Sequence, residues 1–253
     1  MFPGNARRLL RMRFEVDAIL FDIDGTLVDS TAAVGRTWRA WSAARGIDAL
    51  EVLRVCHGRR SEDTVAEFLP SDQRAAAVAE LERLEMADLD DVIALPATRD
   101  LLSRLPSDRW AAVTSGSQLL MRARLAAAGL PVPDVLVAAE DVRLGKPDPQ
   151  GYLNAARQLG FNPRRCLVVE DAPAGLEAGR AAGAHVLGVA TSHPAHDLSA
   201  AHVVVPDLAA CIVEVTVEGL VISTAGCDHD FVRSRADEIG AQSILDVGCG
   251  TGC

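Results

Sequence analysis

The sequence predicts an α/β protein: a parallel sheet covered by helices on both faces, with a small helical domain inserted after the first strand. Three observations predict it. From Pro96 onward, short apolar runs alternate with helical stretches. Residues 31–95 have helical spacing and no strand pattern. Each early strand of the alternating series ends in polar or charged residues, as strands of an open parallel sheet do where they face a ligand. The chain of 253 residues is 49% apolar and 24% charged, which suffices for a substantial core and argues against wholesale disorder.

Residues 1–13 contain Arg7, Arg8, Arg11 and Arg13 without an apolar segment, and read as a basic tail. Met12, just before the first strand, is a candidate translation start. In VDAILFDIDGTLVDS, the run Ala18-Ile19-Leu20-Phe21 is short, apolar and closed by acids and glycine, which suits a buried strand. The insert, 31–95, is rich in Ala, Leu and Glu, with Ser61 and Ser71 as expected helix N-caps. Its hinges are expected at Val28-Asp29-Ser30 and Leu95-Pro96. Helix 97–105, strand 109–114, helix 117–128 (stopped by Gly129), strand 135–137, helix 150–159, strand 166–170, helix 173–182, strand 185–189 and strand 203–205 complete the core. The core is thus 14–30 plus 96–210. Residues 211–229 are expected to be a linker, with alternating valines able to add an edge strand.

Acidic residues outnumber basic ones by 35 to 25, a net charge of −10. That excludes phosphate-backbone or anionic-lipid binding as the main role, so no nucleic acid and no membrane partner is expected. No apolar run approaches the roughly 20 residues of a spanning helix. Six scattered cysteines without a C-x-x-C pair point to free thiols and a cytoplasmic setting. A monomer is expected.

The strand ends carry the chemistry. Asp22 and Asp24 follow the first strand, Thr114 and Ser115 the second; Lys146 lies in the loop after the third, and Glu170 and Asp171 close the fourth. One such residue would be an ordinary solvated loop position; four successive strands ending this way are not. Several carboxylates at one rim need a cation, and oxygen-only ligands favour a hard ion such as Mg²⁺. Asp22 and Asp24, two apart, share a side of an extended backbone, so one can attack while the other handles a proton. Lys146 and Thr114 suit the non-bridging oxygens of a phosphoryl group. Together these describe phosphoryl transfer through an aspartyl-phosphate.

FDIDGTLVDS, VTSGS, GKPDP and VVEDAPAG, in this order, resemble the four motifs of the haloacid dehalogenase (HAD)-like phosphohydrolases, over residues 16 to about 210. The resemblance implies a Rossmann-like core and a helical cap. It implies Asp22 as nucleophile, Asp24 as general acid/base, and Thr114, Ser115 and Lys146 as phosphate binders. It also implies Asp22, the backbone carbonyl of Asp24 and Asp171 as Mg²⁺ ligands, with Glu170 in support. Where related sequences often have Pro-Gly after the cap, this chain has Pro96-Ala97, a departure that stiffens the hinge.

In the cap, CHGRRSEDTV interrupts the helical pattern and is similar to the H-G-x-R-x-x-D loop of sugar- and polyol-phosphate phosphatases. His57, Gly58 and Arg60 are therefore candidate substrate contacts, against the plainer reading of a helix turn with solvated arginines. Ser61 stands where β-phosphoglucomutases have an arginine for a second phosphate, which favours a hydrolase over the mutase alternative; a phosphoglycolate-type phosphatase is the other alternative. The expected substrate is a small phosphorylated metabolite. Trp38 and Trp41 should share a helix face in the cap core. His185 reads as structural, and His193, His196, His202 and His229 receive no role. Residues 230–253 resemble the first strand and glycine loop of S-adenosylmethionine-dependent methyltransferases, without the remaining sheet that such a site needs.

Overall fold

In a computed structural model, which describes residues 12–224, the apolar run of the first motif forms β2 (Ala18–Phe21), buried at every position. β1 (Arg13–Val16) precedes it and belongs to a separate sheet. β2 sits inside a six-stranded parallel sheet between β5 (Trp110–Val113) and β7 (Cys166–Glu170). β6 (Leu136–Val137) lies beyond β5, and β8 (His185–Val189) and β9 (Val203–Val205) lie beyond β7. A strand flanked on both edges and covered on both faces must be apolar throughout. This is why AILF, WAAV and CLVV carry no alternation.

The helices divide between the two faces. Leu120, Met121 and Leu125 of α6 (Gln118–Ala127) and Leu101 and Leu102 of α5 (Thr98–Arg104) pack with Ile19 and Phe21. Tyr152 and Ala155 of α7 (Gln150–Leu159) and Leu176 of α8 (Pro173–Ala181) pack with Leu20 and Val168 on the other face. Successive residues of β2 thus feed opposite cores, as period-two geometry requires.

Between β2 and β5 the chain leaves the sheet through β3 (Val28–Asp29) and returns through β4 (Ile93–Ala94), which pair antiparallel. The insert therefore has a short strand at its exit where only helix was expected. α1 (Thr31–Ala43), α2 (Ala49–Leu53), α3 (Ser61–Phe68) and α4 (Ser71–Met86) form the cap between these two strands. Trp38 and Trp41 meet edge to face, with ring centroids 5.3 Å apart. Buried Trp41 donates Nε1–H to the Ala77 carbonyl at 2.9 Å, so the largest cap side chain has its polar atom satisfied. Ser61 and Ser71 are the first helical residues rather than the caps. Arg60 and Pro70 occupy the cap positions, and neither accepts a side-chain cap bond. Ala97 takes a left-handed conformation (φ 62°) at the return hinge, the conformation that a glycine would adopt without strain.

Residues 211–224 are not a linker. β10 (Cys211–Thr216) and β11 (Gly219–Thr224) form a hairpin, and β11 pairs with β1 in a three-stranded antiparallel sheet of order β1-β11-β10. Leu220 and Ile222 are buried in the same core as Phe14 and Val16. Of the basic tail expected over residues 1–13, Arg13 already belongs to β1, where β11 pairs with it. Residues 1–11 and the methyltransferase-like stretch lie outside the described residues. No helix among the described residues is long and apolar enough to cross a membrane.

Candidate active site

β2 ends at Phe21 and the backbone N–H of Asp22 still bonds to the Val169 carbonyl at 3.0 Å, so the first aspartate is fixed by the sheet. Its carboxylate Oδ1 accepts from Lys146 Nζ at 2.5 Å. The same ammonium reaches Glu170 Oε1 at 2.6 Å and the Val113 carbonyl at 3.1 Å. One lysine thus spans the ends of three neighbouring strands. Glu170 is fully engaged: Oε1 also accepts from Tyr152 at 2.8 Å, and Oε2 accepts from the backbone N–H groups of Asp171 and Ala172. Gly175 makes this arrangement possible, because a Cβ there would collide with the Glu170 carboxylate.

Asp171 is held by Thr26 and Ser192 hydroxyls. Oxygens of Asp22, Glu170 and Asp171 lie within 4.8 Å of one another, all buried. Burial pushes the Asp22 carboxyl well above its usual range, against the pull of Lys146. Burial, then the Glu170 charge, raises Asp171 to about 7. Burial works against the charge on Lys146, but Asp22 and Glu170 outweigh it and raise its pKa. Three carboxylates against one ammonium leave a deficit of two positive charges. An all-oxygen, doubly deficient cluster fits a hard divalent cation. With Glu170 committed to its neighbours, Asp22 and Asp171 are the side chains available to hold one.

Asp24 points elsewhere. Its Oδ1 accepts from Ser30 at 2.7 Å and its Oδ2 from Arg124 Nη1 at 2.6 Å. Its carboxylate is therefore outside the acidic cluster, and only its backbone is left for the metal role expected of it. Arg124 also donates to Glu85 Oε1 of the cap at 3.0 Å. Thr114 accepts from the Gly116 N–H at 3.1 Å, leaving its own hydroxyl hydrogen free to donate. Ser115 donates to the Gly58 carbonyl at 2.9 Å, a direct contact between core and cap. Gly58 has φ 72° and its α-carbon faces Ala172 so closely that a Cβ would clash, which explains a glycine where the cap loop meets the rim.

A cavity of about 290 Å³ lies between rim and cap. Asp22, Asp24, Thr114, Ser115 and Asp171 form its floor; His57, Gly58, Glu62 and Glu82 of the cap lie opposite. Burial and then His193, whose ring centroid lies 6.4 Å away, lower the pKa of His57. Arg60 does not join them. Its guanidinium binds Asp63 through two 2.8 Å bonds and approaches the Arg143 carbonyl, away from the cavity. An aspartate three residues along, in the first turn of α3, captures it. Arg59 lines the wall instead and pairs with Glu67 at 2.6 Å. Arg124, Glu85 and Tyr152 carry no motif. The signal for Arg124 was its place among Leu120, Met121, Leu125 and Ala128, where one buried helix face has no business with a charge.

The fold and this rim define a capped α/β enzyme whose working groups are carboxylates at the ends of parallel strands. The chain belongs to the haloacid dehalogenase-like hydrolase family, whose model matches residues 16–183. It is 46% identical over 175 residues to hexitol phosphatase A of Escherichia coli (strain K12), covering 67% of this chain and 81% of that protein. It is 34% identical over 236 residues to 2-deoxyglucose-6-phosphate phosphatase 2 of Saccharomyces cerevisiae, covering 83% and 96%. Among solved structures, a hydrolase from Pseudomonas syringae superposes with a TM-score of 0.66 at 28% identity, covering 76% of this chain and 94% of that one.

Proposed function

We propose that this protein hydrolyses a small sugar or polyol phosphate monoester through an aspartyl-phosphate on Asp22. The observation that carries the reading is the buried Asp22–Lys146 contact of 2.5 Å at the floor of a cavity that also holds Asp24. Names of the relatives, a hexitol phosphatase and a deoxyglucose-phosphate phosphatase, support the substrate class.

Asp22 attacks phosphorus and the ester P–O bond breaks. Asp24 gives its proton to the departing alkoxide oxygen. Asp24, now a carboxylate, takes a proton from water; the resulting hydroxide attacks the acyl phosphate, releasing phosphate and restoring Asp22. Lys146 holds the attacking carboxylate in place, and the Thr114 hydroxyl, whose hydrogen is uncommitted, suits a non-bridging oxygen. The Ser115 hydroxyl, expected to join it, spends its hydrogen on the Gly58 carbonyl of the cap. Asp22, Asp171 and the Asp24 backbone carbonyl would hold Mg²⁺, which supplies neutralising charge to the phosphoryl oxygens. The cap excludes bulk water from this chemistry.

The cavity walls favour a neutral leaving group. Glu62, Glu82 and Glu140 face it, and its two arginines, Arg59 and Arg124, are each paired with carboxylates. A second phosphate, as in a sugar bisphosphate, or a carboxylate, as in phosphoglycolate, would meet repulsion there. Hydrolysis is therefore favoured over the mutase reading. The three described cysteines are free thiols, in keeping with the cytoplasm.

Phosphate release from a panel of sugar and polyol phosphates tests the proposal. Asp22→Asn should abolish turnover with the fold intact, since an amide cannot attack phosphorus; chelation should stop the wild type and Mg²⁺ restore it. A turning-over Asp22→Asn variant would overturn the covalent route.

A further inference from the structure

Arg124 belongs to the core, on α6, and is 3% exposed. It sends one arm of its guanidinium to Asp24 Oδ2 at 2.6 Å and another to Glu85 Oε1 at 3.0 Å. Glu85 sits near the end of α4 in the cap and is itself buried. Its pKa is raised, by burial first. The Arg124 Nε hydrogen is buried without a partner. A buried guanidinium with one donor unsatisfied is a poor stabiliser, because desolvation of the charges consumes much of the attraction between them. A well-packed apolar residue on this face would serve the core better. The fork geometry, however, does something an apolar residue or a lysine cannot: it fixes two carboxylates at two angles at once. One belongs to the catalytic rim, the other to the cap.

We propose that Arg124 is a positioning residue that makes cap docking and the aiming of Asp24 a single event. When the cap is seated, Glu85 completes the second arm of the fork and the first arm fixes the Asp24 carboxylate. The other Asp24 oxygen is held by Ser30, at the hinge where the chain enters the cap. Asp24 is thus gripped from the core and from the hinge, and both grips depend on where the cap lies. This rests on Asp24 being the group that protonates the leaving oxygen.

The test compares two esters. One is the best alkyl phosphate from the panel, whose alkoxide needs a proton to leave. The other is p-nitrophenyl phosphate, whose leaving group departs without one. Arg124→Gln should lower kcat for the alkyl ester about 100-fold, the scale of a misplaced general acid, and for the aryl ester by less than about threefold. Glu85→Gln, which removes the cap's charge from the fork, should raise KM for the alkyl ester several-fold and lower its kcat more than that of the aryl ester, in the same direction as Arg124→Gln but by less. An unchanged ratio of the two kcat values would mean that cap docking and the aiming of Asp24 are separate. If Arg124→Gln does not fold, as a thermal melt would report, Arg124→Lys carries the same comparison with the buried cation kept and the fork lost. Equal losses on both esters, or no loss on either, would overturn the proposal. A wild type inert to both would instead overturn the hydrolase reading beneath it.

Discussion

Gly175 shows how much of this site depends on what a residue lacks. Helix propensity alone favours Gly175→Ala by about 1 kcal/mol. Against this, the added Cβ meets the Glu170 carboxylate; overpacking costs about 1–3 kcal/mol, and each hydrogen bond lost to a charged group costs about 1.5–3 kcal/mol. The collision wins. Gly175→Ala should lower the Tm and cut phosphate release at least about tenfold, since Glu170 must release Lys146 or Tyr152; a melt and a release assay check both. At this scale the sequence was legible wherever residues are clustered along the chain. Asp22, Asp24, Glu170 and Asp171 end predicted strands, and the structure brings three of the four together. Arg124 escaped because its partners lie 100 and 39 residues away. Arg60 misled because its capture by Asp63 is a local event of the kind any helix start can produce.

The elements divide on the same line. Strands 166–170 and 185–189 follow their apolar runs, because both faces of an inner parallel strand are buried and composition marks them. Strand 203–205, at the sheet edge and only partly buried, is still marked by its three valines. The β10–β11 hairpin was read mainly as linker. Its outer strand is largely solvated, and β11 completes its pairing with β1, some 200 residues earlier in the chain, a contact no local pattern can announce. The hairpin is nonetheless core. Ile222 is 2% exposed and sits opposite Phe14 across the β1–β11 ladder. Ile222→Ala should therefore cost about 2–5 kcal/mol in urea unfolding, although it lies outside the family-matched region. An exposed partner in the same hairpin, Ile212→Ala, should cost under about 1 kcal/mol. Equal effects would mean that the hairpin contributes no core.

At the scale of the whole molecule, cation, proton and stability are linked through one cluster. Without a cation, burial and mutual repulsion hold the Asp171 carboxyl protonated up to about pH 7, and Asp22 shifts in the same direction. The unfolded chain gives up these protons near the ordinary value of 3.8. Between about pH 4 and pH 7 the native state thus binds more protons than the unfolded state, and this contribution to stability falls as pH rises through that window. Asp17, Asp88 and Asp91, lowered by their arginine partners, are ionised in both states above about pH 5 and add no slope. His57 and His185, lowered by burial, contribute the opposite slope near their unfolded value of 6.5. Those histidine contributions cancel when each melt with Mg²⁺ is compared with one in chelator at the same pH. Cation binding needs the carboxylates ionised, so it competes with their protons. The rise in Tm on adding Mg²⁺ should accordingly be small at about pH 5.5 and several degrees larger at about pH 8, where the cation relieves repulsion that no proton covers. Asp171→Asn should flatten the difference, because the amide carries no proton to displace. A Mg²⁺-induced shift of the same size at both pH values would separate the cluster's charge from its cation and remove the electrostatic basis for placing the ion at Asp22 and Asp171.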